Sequence, residues 1–165
     1  MGPGTAADNG KEEKKKMITA PRTYAQWAEV LEIFRTKSDD AAAISAMKAG
    51  QLEWQSGVAE RFSKRLIAAV NERMNAASDK FQRDMNRARG SEGAIVQAIL
   101  SLRKEMMLLK DAIDIPALPD GDRAQYISLI TQQADNMQRS LEDSAKRDRS
   151  GKLSSIVRNH KVNVF

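Results

Sequence analysis

The sequence predicts an all-α protein: an antiparallel helical bundle with a long central helix, a heptad-patterned C-terminal αα-hairpin and flexible termini. Three observations carry this. Aromatic residues number only eight, against an abundance of Ala, Met, Leu, Gln, Glu, Lys and Arg, the residues that lose least side-chain freedom in a helix. Apolar residues recur at three- and four-residue spacing through most of the chain. The last two such stretches keep a heptad and are joined by a short Pro-containing link, which predicts neighbouring helices running in opposite directions. A length of 165 residues supplies one domain with a core, since chains near this size bury roughly 70% of the surface exposed when unfolded. The expected division is a disordered tail at 1–16, a helical bundle at 17–148 and a basic C-terminal tail at 149–165.

Pro21 followed by Thr23 marks a helix start, because the hydroxyl can accept from an orphan N–H one turn later. Tyr24, Trp27, Leu31 and Phe34 then share a face. Lys37-Ser38-Asp39-Asp40 closes this helix and caps the next, Ala41 to Ala49, which Gly50 is expected to end through a left-handed conformation. From about Leu52 to about Ala88 a longer pattern runs through Trp54, Val58, Phe62, Leu66, Val70, Met74, Ala77, Phe81 and Met85. One step of three among the fours makes this stripe drift around the helix, so it must meet more than one neighbour. Gly57 inside it predicts a break or bend. Arg89-Gly90-Ser91-Glu92-Gly93 is the next turn.

Ile95, Ile99, Leu102, Met106, Leu109 and Ile113 form one coiled-coil-like seam. After a linker from Pro116 to Asp122, Ile127, Ile130, Ala134, Met137, Leu141 and Ala145 form a second. Val96, Leu100, Met107 and Leu108 widen the first seam beyond what one partner covers, which points to deep burial, with self-association as the alternative. Leu153, Ile156 and Val157 allow one further helical turn, and Val162-Asn163-Val164-Phe165 alternates as a strand would. No internal repeat is present.

The formal net charge of +5 is unevenly placed. Residues 1–60, 61–89, 90–143 and 144–165 carry −1, +5, −4 and +5. Arg61, Lys64, Arg65, Arg73, Lys80, Arg83, Arg87 and Arg89 lie on the long helix, where the plain expectation is pairing with the acidic hairpin through Glu105, Asp111 and Asp135. Lys146, Arg147, Arg149, Lys152, Arg158, His160 and Lys161 have little local acid, so a flexible phosphate-directed contact is expected there.

No catalytic apparatus is legible. His160, the single histidine, has no evident nucleophile or metal co-ligand. Paired Glu-x-x-His motifs are missing. Thr131 stands where a calcium loop begun at Asp120-Gly121-Asp122 would need a bidentate glutamate, and no Gly-rich phosphate loop or nucleophile elbow occurs. Asp39/Asp40 and Glu142/Asp143 read as caps and solvated faces. The lack of cysteine removes disulfides, thiolate chemistry and Cys-bound zinc, and favours a reducing cytoplasmic setting. The uncharged run Gly93 to Leu102 is far short of the roughly 20 residues that cross a bilayer, and the N-terminus lacks the apolar stretch of a secretory signal. Glu53 and Ser56 spoil a helix-turn-helix over Ala41 to Phe62.

The expected function is therefore that of a non-catalytic helical accessory protein, of a bacterial or phage kind, without a cofactor or metal. It binds DNA or RNA through Lys146, Arg147, Arg149, Lys152, Arg158, His160 and Lys161, joined by Arg61, Lys64, Arg65, Arg83 and Arg87. The alternative is an oligomeric adaptor whose seams self-associate and whose Val162, Val164 and Phe165 dock a protein partner by filling a groove or extending a sheet edge. A weaker third reading lays the tail on an anionic membrane surface, with Leu153, Ile156, Val157 and Phe165 inserting.

Overall fold

The structure, a computed structural model, describes residues 18–51 and 57–164. The expected 1–16 tail, the helix start at Leu52 and Trp54, the residues Glu53 and Ser56, and Phe165 lie outside the described residues. Within them the chain forms six helices and no strand: α1 (Tyr24–Arg35), α2 (Asp40–Ala49), α3 (Val58–Ala88), α4 (Glu92–Ile113), α5 (Asp120–Arg147) and α6 (Lys152–Asn159).

Local chemistry explains most boundaries. Thr23 caps α1 in a full capping box with Gln26, each side chain accepting from the other residue's backbone N–H. Asp39 caps α2 by accepting from Ala42 N–H at 3.2 Å. Gly57, at φ 86°, stands immediately before α3, so the expected break is where that helix begins. Gly90, at φ 83°, turns the chain before Ser91 caps α4. Asp120 opens a helix, as its first-turn carboxylate favours.

Gly50 is needed for a different reason from the one expected. Its backbone is extended, φ −67° and ψ 149°, and no left-handed turn occurs there. A Cβ at this position would come within 2.5 Å of the Trp27 ring. Trp27 is wholly buried, meets Phe62 edge-on with ring centroids 4.9 Å apart, and donates its indole N–H to Gln51 O at 3.2 Å. The glycine thus makes room for the aromatic anchor that joins α1 to α3.

The apolar stripes face inward. Phe62, Leu66, Val70, Met74, Ala77 and Phe81 of α3 are buried, as are all but the first residue of each heptad seam. α3 packs chiefly on α1 and α4 and is hydrogen-bonded to Asp40 of α2 and to Tyr126 of α5. α4 touches α2, α3, α5 and α6. This accounts for its wide stripe: Val96 and Leu108 are partly buried, while Leu100 and Met107 remain 37% and 46% exposed. The Pro-containing linker is also part of the core, with Ile115, Ala117 and Leu118 buried.

Arg73, on the buried face of α3, is only 2% exposed. Its guanidinium has five N–H donors, and each has a partner. Nε and Nη2 donate to Glu105 Oε1 at 2.9 and 2.7 Å, Nη1 to Phe34 O at 3.0 Å and Asp40 Oδ1 at 2.6 Å, and Nη2 to Asp40 Oδ2 at 3.1 Å. The Phe34 ring lies 4.7 Å from the guanidinium carbon. One cation therefore ties the end of α1, the start of α2 and the middle of α4 to α3. Burial disfavours the charge, but the Asp40 and Glu105 interactions outweigh it and raise the arginine's pKa.

Breaking a buried pair strands its charges. Arg73→Ala is expected to destabilise the protein by about 3 kcal/mol, the low end for such pairs because Asp40 and Glu105 keep some solvent contact. Urea unfolding at neutral pH, comparing midpoints at constant slope, checks this.

Candidate anion-facing surface

The C-terminal cations begin in the last turn of α5, where Lys146 and Arg147 follow the buried Ala145. Asp148, the single acid of residues 144–165, then turns the chain. Its carboxylate accepts from Leu153 N–H at 3.0 Å, from Ser150 N–H at 3.2 Å and from the Ser150 hydroxyl at 2.9 Å. These backbone and hydroxyl donors hold its pKa below the usual aspartate value, with Lys152 adding a smaller effect. Gly151, at φ 75°, completes the turn, and α6 starts at Lys152.

Residues 149–164 do not form a tail detached from the body. α6 packs on α5 and α4, burying Ile156 and Val157 and partly burying Leu153. Those are three of the four side chains the membrane reading would insert, and the core covers Ile156 and Val157 and part of Leu153; the fourth, Phe165, lies outside the described residues. The Ser154 hydroxyl donates to Ala145 O at 3.2 Å, tying α6 to the end of α5. Beyond α6, Val162 is 0% exposed, its N–H donating to the buried Gln138 Oε1 at 2.9 Å. Asn163 Nδ2 donates to Asp135 Oδ1 at 3.0 Å. Val162 is thus a core residue and not a free docking residue, and no strand forms here among the described residues. Val164 is 52% exposed.

The cations stay outside. Lys146, Arg147, Arg149, Lys152, Arg158 and Lys161 are all exposed, and His160 is half-buried. Among the described residues none of them makes an ion pair with a carboxylate. Lys146, Arg158 and Lys161 converge, with Ser154 and Glu142, on a cleft of about 260 Å³ between α5 and α6. Glu142 Oε1 is engaged by Gln138 Nε2 at 3.2 Å.

The cations of α3 behave differently. Arg73 pairs with Glu105, so the plain expectation of pairing with the acidic hairpin holds for that acid; Asp111 is taken instead by Lys48 of α2 at 2.5 Å, and Asp135 by Asn163. Arg65 donates to the Tyr24 hydroxyl at 3.3 Å and lies over its ring. Arg61, Lys64, Arg83 and Arg87 are exposed, but from Arg61 to Arg87 they spread over about 39 Å of α3 and form no compact site by themselves. Gln138, Glu142, Asp148 and Ser154, which position the C-terminal cations, were not among the expected site residues. The one sequence signal for them was the isolation of Asp148 among basic residues.

Among the described residues no cluster of His, Asp and Glu is arranged to hold a metal ion, and no helix is long and apolar enough to cross a membrane. No known protein family, curated protein or solved structure matches the chain.

Because Asp148 has a depressed folded-state pKa, its contribution is present above the unfolded aspartate pKa and is lost as pH falls through the lower folded value. Asp148→Asn at neutral pH is expected to loosen α6 locally. Faster amide exchange at residues 152–160, with unchanged exchange in α3, would be the readout; uniform protection in both proteins would refute it.

Proposed function

We propose that this is a non-catalytic helical accessory protein of the cytoplasm that associates with nucleic acid through the cations of its C-terminal surface. The observation carrying the reading is the set of six exposed Lys and Arg residues from Lys146 to Lys161 that make no ion pair with a carboxylate among the described residues, while Asp148 accepts from the backbone N–H groups of Leu153 and Ser150. Unneutralised cations on a folded surface attract phosphates and release their counterions. Asn159 and the Ser155 hydroxyl, both exposed on α6, suit phosphate contacts, and no Phe, Tyr or Trp stands among the described residues of this segment to supply base stacking. Contacts to the backbone, without sequence readout, follow. In this reading the helices form an antiparallel bundle that acts as a scaffold, supported by the Arg73–Glu105 and Lys48–Asp111 pairs between them and by Arg123 of α5 reaching Asp114 just past the end of α4.

With at most one phosphate per exposed cation, duplex DNA gives a slope in log K against log salt no steeper than about −5. Fluorescence anisotropy of labelled duplex and single-stranded oligonucleotides across a salt series measures it. Affinity independent of salt would remove the reading.

A second reading, self-association, is favoured by one observation: Leu100 and Met107 stand exposed two turns apart on α4. Two copies apposed along this helix would cover them. Sedimentation equilibrium should then show a dimer that Met107→Glu dissociates; a monomer at all concentrations would exclude it.

A further inference from the structure

The six C-terminal cations are not equivalent in where they stand. Lys146 follows Ala145, which is buried and whose carbonyl accepts from Ser154. Arg158 follows the buried Val157, one helical turn after Ser154. Lys161 precedes Val162, whose N–H is fixed by Gln138. Each of these three thus springs from backbone locked to the core, and all three line the one cleft between α5 and α6. Arg147, Arg149 and Lys152 do not line it.

We propose that this cleft is a discrete phosphate seat: it binds one phosphate group of a nucleic-acid chain, while Arg147, Arg149 and Lys152 supply only diffuse attraction. This rests on the nucleic-acid reading above and sharpens it. Three cations that line one cleft can contact a single anion together, whereas cations placed outside it meet an anion one at a time. Charge-assisted hydrogen bonds from lysine and arginine to phosphate oxygens supply the attraction. Glu142, on the same wall, sets the selectivity. Its carboxylate, held by Gln138, opposes weakly bound anions and is overcome only when several cation contacts form together.

The test compares two full-length variants that remove equal charge: Lys146→Gln/Arg158→Gln/Lys161→Gln from the cleft, and Arg147→Gln/Arg149→Gln/Lys152→Gln from outside it. All six side chains are exposed and unpaired among the described residues, so both variants should melt with the wild type. At one salt concentration the cleft variant is expected to bind an oligonucleotide about tenfold more weakly than the control variant. Glu142→Gln, which keeps a group able to accept from Gln138, should bind a few-fold more tightly than wild type. Titrated inorganic phosphate should shift the NMR signals of Ser154 to Lys161 in the wild type and not in the cleft variant. Equal losses in the two variants, with an unaltered Glu142→Gln affinity, would overturn the seat and leave the diffuse reading standing. Absence of salt-dependent oligonucleotide binding by the wild type would overturn the nucleic-acid reading itself. Binding to phosphatidylserine vesicles without any to oligonucleotides would overturn the proposal in favour of a lipid headgroup.

Discussion

The guanidinium of Arg73 is the constraint on which the arrangement of helices depends. A cation at 2% exposure is tolerable only if every donor is satisfied and its charge is balanced. Satisfying it requires the Phe34 carbonyl at the end of α1, Asp40 in the first turn of α2 and Glu105 on α4 to stand at hydrogen-bond distance together. Apolar burial is non-directional, whereas a bidentate guanidinium fixes both the distance and the orientation of its partners. The hub thus selects one register among those that the Ala-, Leu- and Met-rich faces would accept.

From that register the rest follows outward. With α3 and α4 set against each other and Trp27 anchored over Gly50, α4 has two further flanks to cover. α5 covers one through its heptad seam and α6 packs on another, while Leu100 and Met107 of α4 stay exposed. The final helix is short, eight residues, and too short to be stable alone. Its order comes from the buried Ile156 and Val157 and from the hydrogen bonds made by Asp148, Ser154 and Gln138. Docking this segment turns its charge from a diffuse property into a placed one. Apolar residues go inward and the alternating Lys and Arg residues are left outside.

Much of the architecture was legible from residue order. The helical periods, the cap at Thr23, the turn at Gly90 and both heptad seams are decided by neighbours within a turn or two, and they appear where the pattern predicts. The number of neighbours that α4 meets was visible only as a surplus of apolar residues at Val96, Leu100, Met107 and Leu108. The role of Gly50 was misread because a steric need created by Trp27, distant in the chain, imitates a turn preference. Val162 was misread because apolar alternation at a chain end describes a strand and a buried strap equally well.

By itself, then, the sequence determined which segments are helical and how much charge each carries, since propensity, periodicity and charge count are summed over near neighbours. Only the tertiary structure decided which charges are spent internally and which stay free. Arg73 meets acids 33 and 32 residues away and Val162 meets an amide 24 residues away, and such pairings depend on how helices lie against one another. The same rule separates two basic segments of equal net charge: parts of α3 are drawn into pairs across the fold, while the last turn of α5 and α6 keep their cations facing outward.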